Sequence, residues 1–382
     1  MSLKGLNYIY KTMRFIDLFC GIGGFHQALA SLGHECVFAS DIDASCRRVY
    51  KDNYGIEPVG DITKYVDDVP PHDIMCGGFP CQPFSKAGLQ RGFEDENRGN
   101  LFFVMCEIID RHKPKYLLLE NVRNLASHDN GNTWEVIKQS LRELGYSTYD
   151  DPTILNVLHF DVPQNRERVV IMAVRGGELP PLPEFSRNPR RTAQVQVSSV
   201  METHPPSLPH KLEVVQEVWD RFLELVQDPP RFPIWTDWWD SGDDPDPRYV
   251  RWIAQNREFW EDNRATLQPW LAWARGKPEW VGAVRKMEWQ AGMPGRTLND
   301  FLWTPRPSGI RVKKCDYIPT LVAMAQIPVY GPQRRKLNPR ELLRLQSFPD
   351  DFKYEEKKIF KQVGNAVNCK MIRWCMEFLA SA

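Results

Sequence analysis

The chain has 382 residues, 42% of them hydrophobic and 26% charged, and it carries 49 basic and 49 acidic side chains. This length is sufficient for two domains, and the composition is ordinary for a globular protein. No apolar run is long enough to span a membrane, and the first residues lack an apolar segment followed by a cleavage site, which argues against membrane and secreted proteins.

The nine cysteines are an odd number, with no regular spacing and no C-x-x-C pair. This favours reduced thiols in a cytoplasmic protein and argues against a zinc ribbon. The net charge is zero, but the segment from Arg296 to Arg340 holds nine basic and only two acidic residues. Such a segment is suited to a phosphate backbone, although a solvated face is the simpler alternative.

From residue 13 to about residue 175 the sequence predicts alternating strands and helices. The predicted strands are 13–19, 35–40, 72–78, 116–119 and 168–174, and the predicted helices are 25–32, 100–111 and 133–144. This alternation predicts an α/β fold with a doubly wound, mostly parallel sheet, whose ligands bind at the carboxyl ends of the strands. Cys20, Asp41, Gly77 and Glu120 all fall at or just after a predicted strand end.

The sequence changes character after about Leu179, where a proline-rich connection begins. Eleven of the thirteen tryptophans lie between this connection and Trp303, in a stretch without alternating strands and helices, which predicts a separate module. The last 50 residues are predicted to form a helix at 339–345, a tight loop at 362–367 and a closing helix at 368–380. We therefore expect three segments, residues 1–185, 186–349 and 350–382.

A glycine-rich turn, Gly21-Ile22-Gly23-Gly24, follows the first strand and allows close approach to a ligand. A dinucleotide fingerprint requires a third glycine at the position of His26, so an adenosine ligand without a bridging pyrophosphate fits better. Asp41 is placed to bind ribose hydroxyls and Asp61 an adenine amino group. Ile42 and Ile62 are expected to form apolar walls. The alternative is that these residues only form turns and helix caps.

Cys81 lies between Pro80 and Pro83 in the stretch GGFPCQPFS, so its loop is shaped by prolines. A cysteine reacts as a thiolate, and the alternative for Cys81 is a buried, inert thiol. Glu120 ends an apolar strand, where burial would raise its pKa and let it donate a proton; a salt-bridge partner is the alternative.

Arg166 and Arg168 are two residues apart at the start of a strand, which predicts that both side chains lie on one face. Paired guanidinium groups suit phosphate or base recognition, and a charged edge strand is the alternative. A thiolate, a protonated acid and an adenosine pocket are together suited to methylation at C5 of a pyrimidine. The thiolate would add at C6 and the acid would act at N3, which makes C5 nucleophilic.

The chain resembles the DNA (cytosine-5) methyltransferases of bacterial restriction–modification systems. The resemblance rests on seven motifs in the family's order: DLFCGIGGF (17–25), GDIT (60–63), GGFPCQPFS (77–85), ENV (120–122), QNRER (164–168), RKLNPRELLRLQSFP (335–349) and QVGNAV (362–367). It leaves residues 176–331 without a match. The resemblance implies a Rossmann-like, S-adenosylmethionine-dependent methyltransferase sheet with helices on both faces, plus a smaller, irregular target recognition domain.

The resemblance also implies the chemistry. S-adenosylmethionine would be the methyl donor and S-adenosylhomocysteine the product, with no metal. Cys81 would attack C6 of a flipped-out cytosine, Glu120 would act at N3, and Arg166 and Arg168 would fix the base and the loop. The loop 84–100 would close over the base. The cofactor-binding residues would be Phe19, Cys20, Gly21, Ile22, Gly23, Gly24, Asp41, Ile42, Asp61, Ile62, Pro80, Leu101, Asn365 and Ala366.

Double-stranded DNA is the implied partner, with Gln82 and Ser85 among the contacts. The basic residues predicted to contact phosphates are Arg306, Arg311, Lys313, Lys314, Arg334, Arg335 and Lys336. The tryptophans of the recognition module are expected to form its core. The resemblance further implies a monomer in the cytoplasm of a prokaryote, associated with the nucleoid, and a cognate restriction endonuclease in the same system.

The sequence departs from the family pattern at Asn338, where threonine is common, and at Ile42, where a tryptophan often stacks on adenine. Three other functions stay open at this point. An RNA (tRNA) cytosine-5 methyltransferase is less favoured, because the Cys-Phe-Thr signature of that branch is absent. Intact Cys81 and Glu120 argue against a DNA-binding protein with a vestigial site, and His26 argues against a nicotinamide oxidoreductase.

Overall fold

The computed structural model describes residues 11–80, 101–185, 189, 195–226, 228–241, 247–324 and 326–381. The chain divides into two compact units. The first unit consists of Met1–Val195 and Leu342–Ala382, and the second unit is Gln196–Glu341. The sequence predicted residues 186–349 for the second segment.

The first unit opens with alternating strands and helices. In chain order they are β1 (Arg14–Leu18), α1 (Gly24–Ala30), β2 (Glu35–Ser40), α2 (Ala44–Tyr54), β3 (Ile74–Gly77), α3 (Leu101–His112), β4 (Tyr116–Val122), α4 (Asn132–Glu143), β5 (Tyr146–Thr148), β6 (Ile154–Asn156), β7 (Gln164–Asn165) and β8 (Glu167–Arg175). All five predicted strands and all three predicted helices of this region are present.

The main sheet of the first unit has the strand order β2-β1-β3-β4-β8-β5, with β6 also paired to β8. The strands β2, β1, β3 and β4 are parallel, and β8 runs antiparallel to β4, β5 and β6. The central strands β1, β3 and β4 read as nearly continuous apolar runs because helices cover both faces of the sheet. The predicted α/β fold class is confirmed.

Apolar helix faces cover the two sides of this sheet. Helices α3 and α4 share one core with the sheet, to which Phe102, Ile108 and Ile137 belong. On α3 and α4 the buried residues recur at helical spacing, which places them on the face that meets the sheet. The carboxyl ends of the four parallel strands therefore open at one edge of a rigid, covered sheet.

In the second unit the described residues form two α-helices and a second sheet. Its elements are α5 (His210–Leu225), β9 (Ile234–Trp235), α6 (Val250–Arg275), β10 (Lys286–Trp289), β11 (Leu302–Arg306), β12 (Gly309–Lys313), β13 (Ile318–Pro319), β14 (Val329–Tyr330) and β15 (Arg335–Lys336). The sheet has the order β15-β14-β11-β12-β10-β9. Several strands are only two residues long, too short to leave an alternating pattern in the sequence.

Seven of the eleven tryptophans in this part of the chain are buried in the second unit's core, as predicted. They are Trp219, Trp239, Trp260, Trp270, Trp280, Trp289 and Trp303. Two of these buried indoles donate a hydrogen bond to a backbone carbonyl: Trp219 Nε1 donates to Val284 at 2.9 Å, and Trp270 Nε1 donates to Val218 at 3.0 Å. Trp235, Trp238, Trp252 and Trp273 are not buried.

The chain returns to the first unit through α7 (Pro339–Leu345) and ends with α8 (Ile359–Asn365) and α9 (Cys369–Leu379). The predicted helices 339–345 and 368–380 are present. The predicted tight loop at 362–367 is wrong, because α8 continues through Asn365 and the chain turns only at Ala366. Helix α1 packs against α9, and its His26 contacts Phe15 of β1. The next residue of β1, Ile16, belongs to the core with α3, so α1 lies on the other face of the sheet.

No helix among the described residues combines the length and the apolar character needed to cross a membrane.

Candidate active site

A cavity of about 490 Å³ lies at the carboxyl ends of β1, β2, β3 and β4. Its volume is within the range of small-molecule sites in proteins. Twelve of the predicted cofactor residues line it: Phe19, Cys20, Gly21, Gly24, Asp41, Ile42, Asp61, Ile62, Pro80, Leu101, Asn365 and Ala366. Glu120 and Arg168 line the same cavity, so the predicted cofactor and catalytic residues meet in one place.

Backbone geometry brings the glycine-rich turn to the cavity edge. Phe19 and Gly21 both have a φ of 54°, in the left-handed region, which turns the chain sharply after β1. The Cys20 amide donates to the Ser40 carbonyl at 2.9 Å, which ties this turn to the end of β2. A Cβ atom on Gly24 would lie 2.7 Å from the Val367 side chain, so only glycine allows this close packing.

Two predicted cofactor residues do not line the cavity. Ile22 is buried in the protein core. Gly23 is the N-cap of α1 with a φ of 89°, and a side chain there would collide with the ring of Tyr54. Both residues shape the turn, and their contact with a ligand stays a prediction.

Asp41 holds the turn and the start of α2 together. Its Oδ2 accepts from the Gly21 amide at 2.8 Å and its Oδ1 from the Asp43 amide at 2.7 Å. Burial raises the pKa of Asp41, while these two backbone donors lower it. Each carboxylate oxygen has a second lone pair, so the fixed carboxylate is able to accept from a ligand hydroxyl.

Asp61 is both a helix cap and a cavity residue. Its Oδ1 accepts from the Thr63 amide at 3.1 Å and from the Thr63 hydroxyl at 2.8 Å, so the capping alternative is correct for this oxygen. The other oxygen takes no part in the cap. The two isoleucines predicted to form apolar walls of the site differ in exposure, since Ile62 is buried and Ile42 is 79% exposed. Ile42 therefore has room to cover a flat ring.

Glu120 lies at the carboxyl end of β4 and is buried. Its Oε1 lies 2.8 Å from Arg168 Nε. Burial raises the pKa of Glu120, and the positive charges of Arg168 and Arg166 oppose that rise without reversing it. The carboxyl is thus held by an arginine, and burial raises its pKa, so features of both alternatives for this residue are present.

Asn121, the next residue, was not singled out from the sequence. Its side-chain amide donates to the Phe79 carbonyl at 2.9 Å, and Asn121 is buried. This bond fixes the backbone two residues before Cys81. Cys81, Gln82, Ser85 and the rest of the loop 84–100 lie outside the described residues. A polar residue directly after an apolar strand was the signal that pointed to Glu120, and it applies equally to Asn121.

The two arginines do not share a role. Arg168 faces the cavity and Glu120, whereas Arg166 is buried and donates to the carbonyls of Gly364 at 3.1 Å and Ala366 at 2.7 Å. Arg166 directly precedes β8, and its positive charge, like that of Arg168, acts on Glu120; that both side chains lie on one face stays a prediction. Arg166 ties the start of β8 to the segment that carries Asn365.

The cavity wall also contains residues that the sequence reasoning missed, among them Ser40, Lys361 and Gln362. Lys361 Nζ pairs with Asp43 Oδ2 at 3.1 Å. Ser40 Oγ and Gln362 Oε1 are buried and have no hydrogen-bond partner within the described part of the chain. Buried polar atoms are normally satisfied, so these two fit a ligand that brings its own hydrogen-bonding groups. Together with the carboxylates of Asp41 and Asp61, these oxygen atoms are able to accept hydrogen bonds from the hydroxyl and amino groups of an adenosine.

The predicted phosphate contacts divide into exposed and enclosed residues. Lys314 is exposed, and Arg311 is partly exposed. Arg335 is buried and donates to Glu341 Oε2 at 2.9 Å and to the Glu202 carbonyl at 2.7 Å. Its prediction as a DNA contact is therefore wrong, because its guanidinium is enclosed by these partners.

The chain matches the family described as C-5 cytosine-specific DNA methylase over residues 13–379. It is 31% identical to the Type II methyltransferase M.AluI of Cellulosimicrobium cellulans over 94% of this chain and 90% of that protein. It is 50% identical to the Type II methyltransferase M.HhaI of Haemophilus parahaemolyticus over 43% of this chain. That second match covers about half of M.HhaI, 49% of its length.

Two solved structures are similar to the chain throughout. The Dnmt2 methyltransferase of S. pombe matches with a TM-score of 0.51 and 16% identity, over 97% of this chain and 98% of that one. A putative DNA modification methyltransferase encoded within a prophage of E. coli matches with a TM-score of 0.51 and 18% identity, over 97% and 99%. At these identities the similarity shows the fold alone.

Proposed function

The chain belongs to the C-5 cytosine-specific DNA methylase family, and from this premise we propose that it methylates C5 of a flipped-out cytosine in duplex DNA. Cys81 forms a transient covalent bond to C6, and Glu120 acts at N3. The observation that carries the proposal is Glu120 itself. It is a buried carboxyl with a raised pKa, on the wall of the cavity that Pro80, the neighbour of Cys81, also lines.

The cavity residues fit S-adenosylmethionine, which supplies the methyl group when it is bound. Asp41 accepts from the ribose hydroxyls, Asp61 from the adenine amino group, and Ile42 and Ile62 cover the ring. Asn365 and Ala366 line the same cavity, and Arg166 donates to the Ala366 carbonyl. The cavity size and the two unpartnered atoms, Ser40 Oγ and Gln362 Oε1, support this proposal.

The proton on Glu120 has a defined place in this mechanism. Oε1 faces the positive charge of Arg168, which disfavours a proton there, and Oε2 lies on the side of Gly78. The proton therefore resides on Oε2, from which it is donated to N3 of cytosine. Protonation at N3 draws electrons away from C6 and allows the Cys81 thiolate to add there. C5 then accepts the methyl group and loses its proton to solvent. The electrons of that C–H bond restore the C5–C6 double bond and expel the Cys81 thiolate, and N3 returns its proton to Glu120.

The second unit is proposed to recognise the DNA sequence, with Gln82, Ser85 and basic residues such as Arg311, Lys313 and Lys314 as contacts. A monomer and a cognate restriction endonuclease remain part of the proposal through the family resemblance.

The first experiment is to incubate the protein with S-adenosylmethionine and a mixed-sequence duplex and to map 5-methylcytosine at base resolution. Methylation confined to one short motif is expected. Cys81→Ser and Glu120→Gln should each lose turnover by at least about 100-fold, since each removes a group that acts in the transition state. Both variants should still bind the duplex.

Methylation of RNA in place of DNA would redirect the proposal to an RNA substrate. Undiminished methylation by Cys81→Ser would refute the proposed nucleophile. Binding of cofactor and duplex without any methyl transfer by the unaltered protein would refute the proposed activity.

A further inference from the structure

The sheet of the second unit has two different faces. Side chains of Ile234, Met287, Ile310 and Val312 point to the core that it shares with α5 and α6. Alternate residues point the other way, and we call their surface the open face; its charged members are Lys286, Glu288, Arg306, Arg311 and Lys313. Neighbouring strands bring Glu288 opposite Arg311, and β11 brings Arg306 to the same carboxylate.

Charge on the open face is strongly asymmetric. Four of these five charged residues are cationic, in a chain whose total charge is zero, and two of them, Arg306 and Arg311, contact the carboxylate of Glu288. Glu288 is enclosed, with 19% of its side chain exposed, whereas Arg311 is 34% exposed. The face therefore presents positive charge outward and keeps its negative charge inside, which suits a polyanion.

The hydrogen bonds of Glu288 fix the orientation of Arg311. Glu288 Oε2 accepts from Arg311 Nε at 2.9 Å and lies 2.9 Å from Nη2, while Oε1 accepts from Arg306 Nη2. Gln290 Nε2 adds a third donor to Oε2 at 3.1 Å. The carboxylate thus occupies the Nε edge of the planar Arg311 guanidinium. The edge formed by Nη1 and Nη2 points away from Glu288.

This edge has the geometry that recognises guanine. An arginine reads guanine by two parallel hydrogen bonds to O6 and N7, which are presented in the major groove. Contact with the carboxylate holds the guanidinium plane before DNA arrives, so less side-chain entropy is lost on binding. Arg311 lies on the hairpin of β11 and β12, joined by the two residues Pro307 and Ser308, and the major groove admits a two-stranded ribbon.

We propose that Arg311, oriented by Glu288, reads one guanine of the recognition sequence, with Arg306 completing the support of Glu288 from the other side. The proposal rests on the proposed function, because it takes duplex DNA as the substrate. It gives Arg311 a base contact, where the sequence predicted a phosphate contact.

The test is selection of bound duplexes from a pool with randomised base pairs, in the presence of S-adenosylhomocysteine. Arg311→Lys keeps the charge and loses the planar fork, and Glu288→Gln keeps the side-chain shape and loses the anchoring charge. Each is expected to lower the preference for guanine at one position by about 5-fold to 100-fold, the value of one bidentate contact. The matched control Lys313→Gln should weaken binding to all sequences equally and leave every base preference unchanged.

Unchanged base preferences in both Arg311→Lys and Glu288→Gln would overturn the proposal, as would a protein that selects no motif at all. Loss of the preference for the same guanine in Lys313→Gln would also overturn the proposal, because the effect would then come from the loss of positive charge and not from a specific contact of Arg311. The selection does not require methyl transfer. A protein that selects a motif through Arg311 but transfers no methyl group would therefore refute the proposed activity and leave the reading of guanine intact.

Discussion

Asp17 is the fully buried acid of the first motif, and its carboxyl lies beneath the glycine-rich turn. Tyr50 Oη donates to Asp17 Oδ2 at 3.4 Å, and Oδ1 has no hydrogen-bond partner in the described part of the chain. Burial raises the pKa of Asp17 well above its usual range, and the backbone donor at His26 only partly opposes it. Folding thus shifts Asp17 toward its neutral, protonated form.

This raised pKa makes folding depend on pH in a defined direction. Because the folded state binds the proton more tightly than the unfolded chain, the stability gained at Asp17 is complete below the unfolded-state pKa of about 4. It is lost as pH rises toward the folded pKa. The asparagine of the Asp17→Asn variant cannot ionise. As the pH rises from the unfolded-state to the folded-state pKa of Asp17, the free energy of unfolding of the variant should therefore increase relative to the unaltered protein by about 1.4 kcal/mol per pH unit.

Urea unfolding of both proteins at a series of pH values from about 4 to about 8 checks this expectation. Any offset from the introduced amide is constant with pH and does not affect the slope. The control Asp110→Asn, at an exposed position on α3, should follow the unaltered protein at every pH. A constant difference between Asp17→Asn and the unaltered protein would contradict the prediction.

At the scale of secondary-structure elements, the sequence predicted what periodic patterns encode and missed what they do not. The parallel strands were found because burial on both faces makes them apolar runs, but the antiparallel direction of β8 leaves no mark in such a pattern. Helix α2 was missed because it is largely polar; its ends are set by Asp43, which caps the Ser45 amide, and by Gly55 with a φ of 73°.

Residues of the candidate site were likewise predicted only where a local sequence pattern marks them. Acids and glycines at strand ends were predictable, since the carboxyl ends of parallel strands meet at one edge. Arg166 and Gln362 were placed by contacts between distant parts of the chain, 200 residues apart for Arg166 and Ala366, which a sequence pattern does not reveal. The departure from the family pattern at Asn338, where threonine is common, has a local explanation. Asn338 exchanges hydrogen bonds with Glu341 as a capping box, a role that asparagine fills as well as threonine.

Arg166 couples two elements, so its replacement should disturb the cofactor cavity from outside it. Arg166→Met keeps the length and leaves the carbonyls of Gly364 and Ala366 without donors, at a cost of about 1–3 kcal/mol each. We expect lower stability and at least about tenfold weaker binding of S-adenosylmethionine, since a loss of about 1.4 kcal/mol in binding free energy corresponds to tenfold.

Thermal unfolding and calorimetric titration with S-adenosylmethionine measure the two effects. The control Arg373→Met removes an exposed ion pair with Glu377 on α9 and should change stability by less than about 0.5 kcal/mol. An Arg166→Met protein that loses stability but binds the cofactor normally would show that this clamp supports the fold without shaping the cavity.

At the scale of the whole molecule, a net charge of zero means that the protein as a whole does not attract DNA. Attraction must come from local clusters, of which the basic segment Arg296 to Arg340 is the most pronounced in the sequence. Counterion release depends on the phosphates that the protein actually contacts and not on its total charge. The salt dependence of DNA binding therefore distinguishes residues that contact phosphates from residues that only contribute to the total charge.

Lys313→Gln combined with Lys314→Gln should weaken DNA binding and reduce the slope of log Kobs against log salt by roughly two, about 0.9 for each phosphate that is no longer neutralised. The matched control is Lys138→Gln combined with Arg142→Gln on α4, whose side chains pair with Glu135 and Asp150. It removes the same amount of positive charge and should leave the slope unchanged. Binding isotherms at several salt concentrations measure both slopes. Equal changes in the two double variants would mean that DNA responds to the total charge, and an unchanged slope in both would mean that Lys313 and Lys314 do not face phosphates.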